Sequence, residues 1–127
     1  MTIEERKTHA ITRVVKAVFP NTTNHYDTLF GGTALNWMDE VAFITATRFS
    51  KMKMVTVSSD KIDFTKPIAA GTIVELIGSI VYIGRTSLKV QVEIFVEEMY
   101  EHKVERAISG IFTFVAIGED KKAVPII

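Results

Sequence analysis

Three places in this chain combine residue types that could do chemistry. The first is Asp39. It lies about two helical turns into a long apolar run, flanked by Met38 and Val41. A carboxylate there is partly withdrawn from water and needs a partner or a job, general base among them. Pairing with a local donor at the edge of a core meets the same need, and periodicity alone favours that plainer reading. The second place is Gly31-Gly32, which opens the run. Glycine lets a ligand approach the backbone, and free amides at a helix N-terminus favour negative charge. A sharp loop-to-helix turn would use the same pair. The third is Gly84-Arg85-Thr86-Ser87, a turn with one cation and two hydroxyls, able to hold a phosphate oxygen. Turns are commonly polar without binding anything.

The elements that must position these groups follow from patterning. Residues 1–8 read as a polar lead-in. His9 to Phe19 alternates loosely and is rich in β-branched residues, which predicts a strand ended by Pro20-Asn21. Asn21 to Gly32 is a loop dense in Asn, Thr, Asp and Gly, long enough to be more often functional than idle. Thr33 to Phe49 reads as one helix of roughly five turns, with Thr33 as N-cap and with Glu40 and Arg48 in the order the helix dipole favours. Its apolar residues spread round most of the circumference, so something must wrap it. Asn36, Glu40 and Thr47 share a narrow polar face with Asp39 beside it. Strands are expected over 54–64, 72–83, 87–98 and 104–117. The last is interrupted at Ser109-Gly110, where a bulge or a close backbone approach is expected. The order is strand, long helix, then four strands, the last three a meander. That order implies an α+β hotdog fold: a long central helix wrapped by a curved antiparallel sheet, in a single domain over residues 1–127.

Composition narrows the function classes. Formal net charge is zero, so neither nucleic acid nor an anionic membrane surface is expected as the main partner. There is no cysteine, which excludes disulfides and thiolate chemistry. No apolar run is long enough to span a membrane and the first residues lack an apolar h-region, which implies a cytoplasmic protein. His9, His25 and His102 are scattered without ligand spacing, so no metal site is expected.

Five segments in order carry a resemblance: Asn24-His25-Tyr26-Asp27-Thr28-Leu29-Phe30-Gly31-Gly32, Trp37-Met38-Asp39-Glu40, Asp63 to Gly71, Gly84-Arg85-Thr86-Ser87, and Phe112 to Ala116. Together they resemble the hotdog acyl-CoA thioesterases, in particular the brain-type cytosolic acyl-CoA hydrolases and their single-domain bacterial relatives. The match runs from about Ile11 to Pro125. The family often has glycine where this chain has Asp27.

The resemblance implies hydrolysis of acyl-CoA to fatty acid and coenzyme A. Asp39 becomes the catalytic general base or nucleophile. Its neighbour Glu40 points about 100° away along the helix, so only one of the two faces the site. Asn24 falls on a catalytic asparagine that would hold the water or polarise the thioester carbonyl, although an asparagine in such a loop commonly just caps it with an Asx turn. Gly31, Gly32 and Phe64 become oxyanion and substrate contacts. Arg85, Thr86 and Ser87 bind CoA, with Lys66, Lys121 and Lys122 as further charges for its phosphates. Phe30, Phe43, Phe64 and Trp37 are mostly core, with one or two lining an acyl tunnel. The family places Asn24 and Asp39 in one site from opposite subunits, which requires a homodimer and allows a trimer of dimers. No cofactor is implied, since coenzyme A is part of the substrate. Two other readings fit the fold: a non-catalytic acyl-CoA-binding sensor, and a hydratase or dehydratase built around His25. Fold alone does not settle function.

Overall fold

The computed structural model describes residues 1–127. Its first element is a helix that the polar lead-in conceals. Helix α1 spans Ile3–Ala10, and Thr2 and Glu5 close a capping box at its start, each side chain accepting from the other's main-chain N–H. That reciprocal contact holds the Glu5 carboxyl below its usual range, chiefly through the Thr2 amide. The T-x-x-E spacing was visible in the sequence, but the six polar residues from Glu4 to His9 offered no apolar stripe to read. The expected strand is therefore shorter: β1 spans Thr12–Ala17. Arg6 and Arg48 dock α1 by donating to the carbonyls of Phe49 and His9.

Helix α2 spans Gly31–Ser50, about 30 Å of helix. It begins two residues before Thr33, and Phe30 occupies the cap position without a side-chain hydrogen bond. The Thr33 reading fails because the glycines themselves adopt helical backbone. Lys51, in the left-handed conformation at φ 56°, ends the helix. Strands β2 (Lys53–Phe64), β3 (Thr72–Ile83), β4 (Ser87–Glu98) and β5 (Val104–Ile117) follow. The sheet is antiparallel in the order β1-β3-β4-β5-β2 and is not closed into a barrel. This is the hotdog arrangement that the element order implied.

In β4, Leu88, Val90, Val92 and Ile94 are fully buried, and the intervening residues face outward as alternation requires. Together with Leu76, Phe112 and Phe114 they pack against Met38, Val41, Ala42 and Phe49 of α2. Two glycines let the sheet approach the helix. A β-carbon on Gly78 would collide with the Thr45 hydroxyl, and one on Gly110 would collide with Ile62 and meet Met38 at 3.2 Å. Gly110 is thus a close approach within an unbroken β5.

The sheet covers one side of α2 only. Phe43 is 46% exposed, and Phe30 and Phe64 are about half exposed, so these aromatics are not core within one chain. Trp37 is half-buried under the Lys16 ammonium. Of the twelve residues of β2, all but Met54 and Ile62 are exposed. No helix is long and apolar enough to cross a membrane.

Candidate active site

Asn24 sits in a five-residue loop that closes on itself. Its amide donates to the Thr28 carbonyl at 2.8 Å, and its carbonyl accepts from the Asp27 amide at 3.0 Å. Asp27 takes φ 58° to make that turn, a conformation Asp tolerates and glycine adopts freely. The Asn24 side-chain oxygen accepts three hydrogen bonds, from the Tyr26 amide at 2.8 Å, the Thr28 amide at 3.2 Å and the Thr28 hydroxyl at 3.1 Å. The Asx turn is therefore real. It engages only the oxygen. Main-chain amides can only donate, so the atom facing them is Oδ1, and Nδ2 is left with two protons and no partner in the fold.

The N-terminus of α2 follows at Gly31, seven residues after Asn24. The amides of Gly31, Gly32 and Thr33 are unpaired, since the first intrahelical bond is donated by Ala34 to Phe30. Neither glycine has positive φ. A β-carbon on Gly31 would touch the Phe64 ring at an ordinary 3.8 Å, and one on Gly32 would touch nothing. Intrachain crowding and a sharp turn therefore do not account for the pair. What remains is an open, donor-rich face with an aromatic ring beside it. Phe64 also lines a cavity of about 260 Å³ with Thr28, Leu29, Lys66, Ile68 and Ile108.

Two turns into α2, Asp39 is half-buried, and its Oδ1 accepts from the Thr56 hydroxyl at 3.2 Å. Glu40 is exposed on the neighbouring face. Thr56 escaped the sequence reading. It is an ordinary strand threonine by composition, and only the packing of β2 along α2 puts its hydroxyl on the carboxylate.

Gly84-Arg85-Thr86-Ser87 joins β3 to β4. The Gly84 amide donates to the Ser87 carbonyl at 2.7 Å, and the C-terminal tail braces the turn through Ile126, whose amide donates to the Arg85 carbonyl at 2.9 Å. The Arg85 side chain is exposed and pairs with no acidic residue. Lys66 is otherwise engaged: its ammonium lies 3.0 Å from Glu105 and, by hydrogen bonding, holds that carboxyl below its usual range.

Of the sequence-predicted residues, the structure brings Gly31 and Gly32, at the start of α2, beside Phe64 at the end of β2, with Asn24 in the loop before them. Asp39 stands apart from these with Thr56, and Arg85, Thr86 and Ser87 lie in the β3–β4 turn. The side-chain hydrogen bonds of Asn24 stay within its own loop, and that of Asp39 goes to β2.

The fold is a hotdog sheet with a carboxylate on its central helix and free donors at that helix's start, and comparison with known proteins gives its class. The family model of the thioesterase superfamily matches residues 26–102. An uncharacterised acyl-CoA thioester hydrolase of Bacillus subtilis is 37% identical over 116 residues, covering 90% of this chain and 67% of that protein. The chain belongs to the thioesterase superfamily. Among solved structures, an acyl-CoA hydrolase from Bacillus cereus superposes with a TM-score of 0.91 at 34% identity, covering 94% of this chain and 73% of that one. An acyl-CoA hydrolase from Staphylococcus aureus, solved with butyryl coenzyme A and coenzyme A, gives 0.89 at 34% identity and the same coverage. That enzyme has also been solved with an asparagine, an aspartate and a threonine each replaced by alanine. A hexameric acyl-CoA thioesterase matches at 0.90 and 32% identity, over 94% of this chain and 76% of its own.

Proposed function

We propose that this chain hydrolyses the thioester of acyl-coenzyme A, with Asp39 as general base and Asn24 as oxyanion donor. The observation that carries the reading is the Asp39–Thr56 pair, a carboxylate oriented by a hydroxyl at an open edge strand. The replaced asparagine, aspartate and threonine of the Staphylococcus aureus enzyme are spaced fifteen and seventeen residues apart, as are Asn24, Asp39 and Thr56.

In the reaction, Asp39 takes one proton from a water whose oxygen bonds to the thioester carbon. The carbonyl electron pair moves onto oxygen, where the Asn24 NH2 and the first-turn amides of α2 stabilise it. Collapse restores the carbonyl and breaks the carbon–sulfur bond. The departing CoA thiolate takes the proton back from Asp39. The Arg85 guanidinium, free and exposed in its turn, binds a phosphate of the nucleotide. All of this chemistry is assigned to side chains and amides, with no metal or cofactor.

The site is shared between two copies, Asn24 from one and Asp39 from the other. Two features support a dimer. β2 is a twelve-residue edge strand with exposed residues on both faces. The outer face of α2 carries exposed Asn36, Glu40 and Phe43. Edge-to-edge pairing of two β2 strands would cover both. The hexameric relative supports further assembly as a trimer of dimers.

The test is release of free thiol from acyl-CoA across chain lengths. Thiol release by wild-type protein supports the reading. Binding of acyl-CoA without release overturns it in favour of a sensor, and water addition to an enoyl-CoA without thiol release overturns it in favour of a hydratase.

A further inference from the structure

We propose that Thr28 is a positioning residue: its hydroxyl restrains the Asn24 carboxamide, whose facing the loop amides set, so that the NH2 group is held towards the substrate. The proposal rests on Asn24 acting as the oxyanion donor. The amides of Tyr26 and Thr28 decide which way the carboxamide faces, because a flipped group would set NH2 against two N–H donors. The Thr28 hydroxyl is the one side-chain donor to that oxygen, at 3.1 Å.

Its residue is also clamped from behind. Thr28 forms a bridge with Ala69, while the flanking Asp27 carbonyl accepts from Ala70 at 2.9 Å and the Leu29 amide donates to Ile68 at 2.7 Å. A β-branched side chain on so fixed a backbone has little χ1 freedom. The hydroxyl therefore ties the carboxamide to the segment before β3, beyond the loop's own turn. Thr28 also lines the 260 Å³ cavity beside Phe64, so the residue that fixes the donor borders the space a substrate would enter.

The experiment compares acyl-CoA hydrolysis by Thr28→Val, which keeps the shape and removes the hydroxyl, with Thr28→Ser, which keeps the hydroxyl. We expect Thr28→Val to lower kcat about tenfold, the rate equivalent of one neutral hydrogen bond, with KM changed less than about twofold. Thr28→Ser recovers most of that loss. In an Asn24→Ala background, Thr28→Val costs nothing more, because its effect runs through Asn24. A loss of the same factor in that background, or equal loss in the valine and serine variants, overturns the proposal and leaves the hydrolase reading standing. A second readout is independent of turnover. The Asn24 side-chain NH2 resonances of 15N-labelled protein should shift or broaden in Thr28→Val and return towards wild type in Thr28→Ser. Resonances unmoved by Thr28→Val overturn the positioning role whatever the activity. A wild-type protein that releases no thiol overturns the hydrolase reading, and with it any role for Thr28 in that reaction.

Discussion

The Asn24 loop and the Asp39 edge are built in opposite ways. Around Asn24, the hydrogen bonds that shape the turn run between residues at most four apart, and the loop is closed before any other element is considered. Around Asp39, the one hydrogen bond spans seventeen residues and depends on β2 lying along α2. The first region is rigid and complete, with a donor left over. The second is held by a single hydroxyl and open, on an edge strand exposed on both faces. A site that joins them has one half preorganised by local chemistry and one half finished by assembly. Preorganised donors are where transition-state stabilisation is cheapest, and an open edge strand is where pairing with another copy is favoured.

The largest effect should come from breaking the assembled half. Asp39→Ala should lower turnover by about two orders of magnitude or more with the fold intact, as expected for loss of a general base. Asn24→Ala should be similarly inactive. Mixed under conditions that exchange subunits, the two should recover up to about a quarter of wild-type activity, since half the dimers are mixed and each has one intact site. No recovery despite demonstrated exchange would mean that the two residues do not share a site across subunits.

The next effect sharpens the other half. Asn24→Asp keeps an oxygen for all three loop bonds and replaces the outward NH2 with an acceptor. It should fold as wild type by thermal melting, yet lose about two orders of magnitude in kcat. Near wild-type turnover would show that the amide nitrogen is not the donor.

Thr56→Val should cost less, about tenfold in kcat, because one hydrogen bond to a charged group is lost and the carboxylate remains. Unchanged kinetics would leave Thr56 as an ordinary strand residue. Smallest is a stability effect within the closed loop. Asp27→Ala places a residue with no local hydrogen-bonding side chain at positive φ and should cost about 1 kcal/mol, whereas Asp27→Gly should be close to neutral. Equal melting temperatures for the two variants would show that the left-handed turn carries no strain.

Legibility in the sequence followed the range of the interactions. Strands β3, β4 and β5 were readable because burial on one face imposes alternation, and their bounds match the structure. Helix α1 was missed despite its capping box, because its stability comes from docking on α2 through Arg6 and Arg48. Thr33 was read as the cap because the sequence shows a good capping residue but not where the backbone turns helical.

The sequence by itself determined the hotdog order, the place of Asp39 on the long helix and the loop in which Asn24 sits, since these depend on periodicity and on contacts between near neighbours, whereas the role expected of Asp39 came from the resemblance and not from periodicity. Only the tertiary structure decided that the Asn24 oxygen is engaged and its nitrogen free, that Gly31 and Gly32 are not required by crowding, and that Thr56 meets Asp39. The reason is that direction, crowding and partnership between distant residues arise when strands pack on a helix, and no spacing along the chain encodes them.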